Sequence, residues 1–414
     1  MGETAVDSES QAPAAAAAPS LAFGQAMDPW LFFAAVALSC VGLVMVFSSS
    51  AWLAREAGAG WSHYLIRQGV FFVAGLGMMI GLSRIDYRIL RRFAGQFMLI
   101  GILSLLAVLV IGREVNGATR WISVGPVNVQ PSEIAKLALI VFLAATLARQ
   151  GERIRQFKTG FLPPMVAASV TMLLVAMEND LGTTVLLGAL TLTLLYVAGT
   201  RASYVVAAVL LALPIAWQFI VGVEWRRGRV EDFLSGADYQ VQQGLIAIGS
   251  GGTYGLGLGA GRQKLGFLPE NHTDFILATI GEELGLLGIA GVVVLFLLLV
   301  WRGLIAARQA PDRFGTYLAV GLSALFGLQA LVNMAVVLRV IPAKGITLPF
   351  ISYGGSSLLA SMFAVGLLLS VSRRPRPWRL SDQRGRRPNR HDVEKIARTQ
   401  SGHRSNVRAR PATV

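Results

Sequence analysis

Successive apolar runs of about 20 residues, each nearly free of charge, limit what this chain can become. The first reads LFFAAVALSCVGLVMVFSSS from Leu31 to Ser50. A helix of that length crosses the ~30 Å hydrocarbon core of a bilayer. Backbone inside lipid must satisfy its own hydrogen bonds, so only helices or a closed barrel can span. No alternating strand pattern supports a barrel. Charged residues make up 14% of the 414 positions, against about 25% in soluble domains. Mean hydropathy is +0.58. The chain is therefore read as an all-α polytopic membrane protein.

Hydropathy places ten helices at 29–49, 64–82, 93–112, 131–149, 162–177, 183–199, 203–222, 274–301, 314–339 and 354–372. Arginines and lysines gather in one set of connections: Arg84, Arg88, Arg91 and Arg92; Arg149, Arg153, Arg155 and Lys158; Arg201; Arg302, Arg308 and Arg313. The other set holds few, such as Arg55, Arg113 and Arg120. The bias of basic residues toward the cytoplasm puts the first set inside, with both termini. One long connection between helices seven and eight, residues 223–273, then lies outside.

Residues 1–27 are rich in Ala, Pro, Ser and acids and are expected to be a disordered cytoplasmic tail. Acids there precede any apolar run, which argues against a secretory signal. Residues 28–372 form the membrane domain. The tail 373–414 carries thirteen Arg or Lys against three Asp or Glu, most of the net charge of +14. With no aromatic interleaving, it reads as a topology determinant touching anionic lipid rather than a nucleic-acid arm. The single cysteine, Cys40, precludes an internal disulfide, and His63, His272, His391 and His403 have no metal-ligand spacing. No clear internal repeat, the mark of many transporters, is visible.

The chemistry concentrates in GSGGTYGLGLGAGRQKLGFLPENHTD, Gly249 to Asp274. Its G-x-G-x-x-A match lacks a βαβ context, so the glycines are read as allowing tight backbone turns or close approach to a phosphate-bearing ligand. Arg262 and Lys264 supply counter-charge. Asp274, beyond Glu270 and His272, sits where loop becomes helix. It is either an N-cap or a carboxylate able to take a proton from a bound hydroxyl. Glu133 and Lys136 share a helix face at i, i+3, as an ion pair or as part of a site. Glu282 and Glu283, two turns into the eighth helix, raise the same question. Asp180 is an expected N-cap of the sixth helix. Arg120, Glu133, Asp180, Arg262, Lys264, Asp274 and Lys344 all fall on the external face. Together they suggest an outward polar cavity suited to an amphiphile with an anionic headgroup.

The stretches NGATRWISVGPVNVQPSEIAKL (116–137), DLGTTVLL (180–187), YQVQQGLIAIGSGGTYGLGLGAGRQKLGFLPENHTDFILATIGEELG (239–285) and IPAKGITLPFISYGGSSLL (341–359) resemble the shape, elongation, division and sporulation family of bacterial membrane glycosyltransferases. GEELG (281–285) and AKGITLPF, with Lys344, resemble its division branch rather than its elongation branch. ENDLGT (178–183) departs from the Gln-Pro-Asp or Glu-Pro-Asp common in the family: Asp180 is kept and the proline is absent. The resemblance implies polymerisation of lipid II into glycan strands with release of undecaprenyl diphosphate, at the division septum of the bacterial cytoplasmic membrane. It assigns the essential aspartate to Asp274. It makes Arg120, Glu133, Lys136, Asp180, Arg262, Lys264, His272 and Lys344 candidate substrate-binding residues. A divalent cation, Mg or Mn, is a conceivable helper, with no metal ligands assigned. Partners implied are a class B penicillin-binding transpeptidase and other division proteins. The competing readings are a lipid II flippase, an elongation-type polymerase and a scaffold for division proteins.

Overall fold

The computed structural model describes residues 27–373, apart from 57, 59, 116, 117 and 126. All but the innermost residue of each expected tail therefore lies outside the described residues. Twelve α-helices follow in order among them: α1 (Pro29–Glu56), α2 (His63–Arg84), α3 (Arg88–Ile111), α4 (Pro131–Gln150), α5 (Leu162–Met177), α6 (Leu181–Val197), α7 (Ala202–Val221), α8 (Glu224–Ser235), α9 (Tyr239–Gly251), α10 (Ile276–Gln309), α11 (Arg313–Val337) and α12 (Gly355–Ser372). Nine are long and apolar enough to cross a bilayer, and α6 is a shorter apolar helix of 17 residues. This is an all-α multi-pass membrane protein. α4, α11 and α12 are the most enclosed spans, and α4 packs on α3, α5, α6 and α11. α7 buries none of its described side chains against the bundle.

Local chemistry sets several boundaries. Asp180 caps α6 by accepting from Thr183 N at 3.1 Å, as its sequence position suggests. Asp238 caps α9 on Val241 N, and Asp312 caps α11 on Gly315 N. α4 opens with Pro131, whose missing N–H costs nothing in a first turn.

Three features differ from the sequence reading. Three short strands, β1 (Arg113–Val115), β2 (Ala118–Val124) and β3 (Val127–Val129), form a small antiparallel meander. Strands of three to seven residues are too short to show an alternating pattern. The long connection 223–273 is not only loop, since it contains α8 and α9. The eighth apolar run is not one continuous helix, because Gly285 breaks α10 with φ 68° and ψ −166°, a conformation open to glycine.

The glycine-rich strap fills that break. Leu256 N donates to Glu282 O at 2.9 Å and Gly257 N to Glu283 O at 3.0 Å. Leu286 N and Leu287 N return bonds to Gly252 O and Thr253 O. These partners allow non-helical backbone inside an apolar bundle. α9 approaches so closely that a Cβ on Gly251 would lie 1.9 Å from Gly281 O. A Cβ on Gly249, in the same helix, meets nothing within 4 Å. Gly251→Ala is thus expected to cost about 1–3 kcal/mol by overpacking, with Gly249→Ala neutral or slightly stabilising. Thermal unfolding of the detergent-solubilised variants reads the difference.

Candidate active site

The site forms where α3, α5, α7 and α11 end and α4, α6, α10 and α12 begin. Two neighbouring polar side chains on α11, Gln329 and Asn333, organise it. Asn333 Nδ2 donates to Asp274 O and to Ile346 O, both at 2.8 Å. Gln329 Nε2 donates to Thr347 O at 3.0 Å. Ser352 Oγ donates to Thr273 O at 2.7 Å, and Tyr353 N to His272 O at 2.9 Å. Three successive carbonyls, 272 to 274, are therefore tied to one helix and one loop.

That tethering leaves the Asp274 carboxylate unused. It caps no helix: α10 has Phe275 at its N-cap and no side-chain cap bond. It stands behind Gly345, where a Cβ would lie 3.1 Å from Asp274 Oδ2 and 3.3 Å from Arg120 Nη1. Burial first, then the charge of Glu270, push the Asp274 carboxyl up to about 7, against the opposing pull of Arg120. Arg120, from β2, donates through Nη2 to Asn179 O at 2.5 Å.

A cavity of about 540 Å³ opens beside them, lined by Arg120, Asp180, Arg226, Arg229, Lys344 and Gly345 among others. Asp180 Oδ2 is buried there without a hydrogen bond. Burial pulls the Lys344 ammonium down, opposed by Asp180. Glu178, fully buried with neither carboxyl oxygen hydrogen-bonded, is raised to about 8 by burial and then by Asp180, with Arg120 opposing. The arrangement sets a carboxylate behind Gly345, next to a cavity lined by several cations, a combination suited to proton removal next to a leaving anion.

Residues 29–376 match the FtsW/RodA/SpoVE family, described as cell cycle proteins. The chain belongs to this family. Proteins named probable peptidoglycan glycosyltransferase FtsW are similar throughout. That of Geobacter sulfurreducens is 44% identical over 84% of this chain and 95% of its own length. That of Alkalilimnicola ehrlichii is 40% identical over 85% and 92%. Among solved structures, a chain from a peptidoglycan synthase complex, studied for how it coordinates polymerization and crosslinking, superposes with TM-score 0.71. It is 29% identical and is covered to 98%, with 84% of this chain matched. The rod shape determining protein RodA of Thermus thermophilus gives TM-score 0.62 at 28% identity, over 84% of this chain and 97% of that one.

In this member of the FtsW/RodA/SpoVE family the other expected site residues divide into three groups. Glu133 and Lys136 form a buried ion pair at 2.9 Å, and Lys136 also reaches Gln329 Oε1 at 3.2 Å. Gln329 links them to the loop that carries Lys344 through a second hydrogen bond, to Thr347 O. His272 packs among Tyr64 and Tyr353, with ring centroids 5.6 and 5.7 Å away, and burial lowers its basicity. Arg262 and Lys264 are not brought to Asp274 by any hydrogen bond or ion pair among the described residues. Lys264 Nζ is buried on Glu283 Oε1 at 2.6 Å, with Ser48 Oγ and Gly259 O as further partners. The Arg262 side chain is exposed, while its N–H donates to Glu282 at 2.6 Å. The Lys264 ammonium thus belongs to the clasp around the α10 break, while Arg262 joins it only through its main-chain N–H. Glu282 and Glu283 answer to the strap in the same way.

The sequence reading missed Arg226 and Arg229, which lie at i, i+3 on α8 and share one face. It also missed Asn333 and Gln329, amides at i, i+4 within an apolar helix. Among the described residues no group of three or more His, Cys, Asp or Glu gathers as a metal cage. Positive charge at the cavity is supplied by Arg120, Arg226, Arg229 and Lys344.

The Lys264 assignment is open to test. Lys264→Met strands a buried carboxylate and is expected to cost about 3–5 kcal/mol of stability. Adding Glu283→Gln to that variant should recover most of the loss in detergent unfolding. A stable Lys264→Met protein that has lost activity would instead place the lysine on substrate.

Proposed function

We propose that this cavity polymerises lipid II, joining the disaccharide units of an undecaprenyl-diphosphate-linked precursor into glycan strands. The observation that carries the reading is that Asp274 Oδ2 and Arg120 Nη1 converge on one face of Gly345, 3.1 and 3.3 Å from where a Cβ there would stand.

The Asp274 carboxylate takes the proton from the acceptor sugar's 4-hydroxyl as that oxygen attacks the donor's anomeric carbon. The bond from that carbon to the diphosphate oxygen breaks, and undecaprenyl diphosphate leaves with the electron pair. Attack opposite the leaving group inverts the anomeric centre from α to β. Charge growing on the diphosphate is met by Arg120, Lys344 and Arg229, which line the same cavity. Guanidiniums hold that charge at any working pH. The cleaved bond between the anomeric carbon and the phosphate oxygen supplies the driving force.

Basic connections at the opposite end of the bundle support an external position for this site. The resemblance of Lys344 and its flanking residues to the division branch, and the relatives named FtsW, support a septal role. A class B penicillin-binding transpeptidase is the partner we infer, supported by the similarity to a chain of a synthase complex.

Purified protein supplied with lipid II is expected to yield glycan polymer, and Asp274→Ala to abolish it without altering thermal unfolding. Wild-type polymer yield from that variant would remove the assigned base. With its carboxyl pushed up to about 7, Asp274 is mostly in the base form only above that pH. The rate should fall about tenfold per pH unit below that value and level off above it. A rate independent of pH between 5 and 8, taken as rough bounds for this titration, would assign the proton transfer elsewhere.

A further inference from the structure

Asn179 has φ +63°, a left-handed conformation that most side chains avoid and asparagine tolerates. This turn puts both of its oxygens to use. The main-chain oxygen accepts from Arg120 Nη2 at 2.5 Å. The side-chain Oδ1 accepts from Arg226 Nη2 at 2.6 Å. Arg226 is itself buried. Its Nη1 donates to Phe219 O at 3.0 Å, and its guanidinium lies 4.3 Å from the Phe219 ring centroid. One residue thus holds two guanidiniums arriving from separate parts of the chain, β2 and α8. Both line the cavity beside Asp274, together with Arg229 one turn further along α8. Apart from Asp180, the charged residues lining that cavity are cationic, which suits a ligand carrying more than one negative charge.

We propose that Asn179 is a positioning residue for the donor. It fixes the spacing of Arg120 and Arg226 so that a prenyl diphosphate binds between them, which makes α8 a wall of the donor site. The backbone turn excludes proline, whose φ is held near −65°. Glycine would keep the turn and the bond to Arg120 but release Arg226. Aspartate would keep both bonds and cancel the charge of Arg226. Asparagine alone among these supplies the turn and a neutral acceptor together.

The inference rests on the lipid II polymerase reading, and the test separates the two. Wild-type protein that makes no polymer from lipid II sinks that reading. If wild type polymerises, Asn179→Gly decides the inference. It is expected to raise KM for lipid II about tenfold, the loss of one charge-assisted bond. Competitive inhibition by a short-chain prenyl diphosphate should weaken by the same factor, while kcat stays within about twofold. Arg226→Gln should show the same pattern and carries the test if Asn179→Gly unfolds. The double variant should be no worse than Arg226→Gln alone, because both changes break one bond. Unchanged KM in both single variants, a fall confined to kcat, or effects that multiply in the double variant would each overturn the proposal.

Discussion

A single amide on α11 joins the two segments that make the site. Both protons of Asn333 Nδ2 are donated, one to Asp274 O and one to Ile346 O. A buried amide that loses its acceptors costs about 1–3 kcal/mol, so the two segments are tied to the helix and to each other. Its own Oδ1 is buried without a partner, a cost the site carries. One turn away, Gln329 accepts from Lys136 and donates to Thr347 O. A polar seam therefore runs from the Glu133–Lys136 pair on α4, across α11, to the loop bearing Lys344. Such a buried pair adds little net stability once desolvation is counted, and its clearer effect is on alignment. Here it fixes α4 against α11, and through Gln329 it fixes the cavity wall.

Burial and charge act in opposite directions around that cavity. Low polarity moves each titratable group toward its neutral form: Asp274 and Glu178 upward, Lys344 downward. Arginine does not neutralise in proteins. The lasting positive charge is therefore carried by Arg120, Arg226 and Arg229, with Lys344 as the adjustable member. Arg120 also acts on Asp274, holding its carboxyl lower than burial alone would set it. An anion seated against Arg120 cancels part of that pull and makes the carboxylate a stronger base. Donor binding and proton removal are then coupled by electrostatics, with no conformational change needed.

The spans were legible in the sequence because a long apolar run reports one solvent and one backbone solution. The expected 162–177 is α5 itself, and most other boundaries fall within a few residues of the structure. The cap at Asp180 was legible because it is a local contact, three residues in reach. The Lys264–Glu283 pair was not legible because Glu283 lies in another element. An unpaired-looking cation next to glycines resembles a ligand site until the fold closes on it. The break at Gly285 was hidden because glycines are common in membrane helices, and Gly281, Gly288 and Gly291 nearby keep helical backbone. The missing proline before Asp180 was visible as a departure. Only the structure shows that Asn179 uses the left-handed turn a proline could not make.

The broken helix explains how a precise site sits at the end of a lipid-facing bundle. At its far end the short half of α10, residues 276–284, is gripped through Glu282 and Glu283. Their main-chain oxygens take Leu256 and Gly257 N–H, and their carboxylates take those of Gly259, Arg262 and Gln263. Its near end is gripped by Asn333. Beyond Gly285 the side chains of Leu286, Leu287, Val294 and Leu297 are exposed, and the strap holds this half only through the N–H groups of its first residues, Leu286 and Leu287. An unbroken helix would transmit any tilt or bend of that exposed half to Asp274. Breaking the rod and anchoring the inner piece at both ends isolates the carboxylate from motion imposed by the bilayer. The glycines of the strap serve this purpose: backbone can replace a helical turn only where no side chain stands between it and the two glutamates.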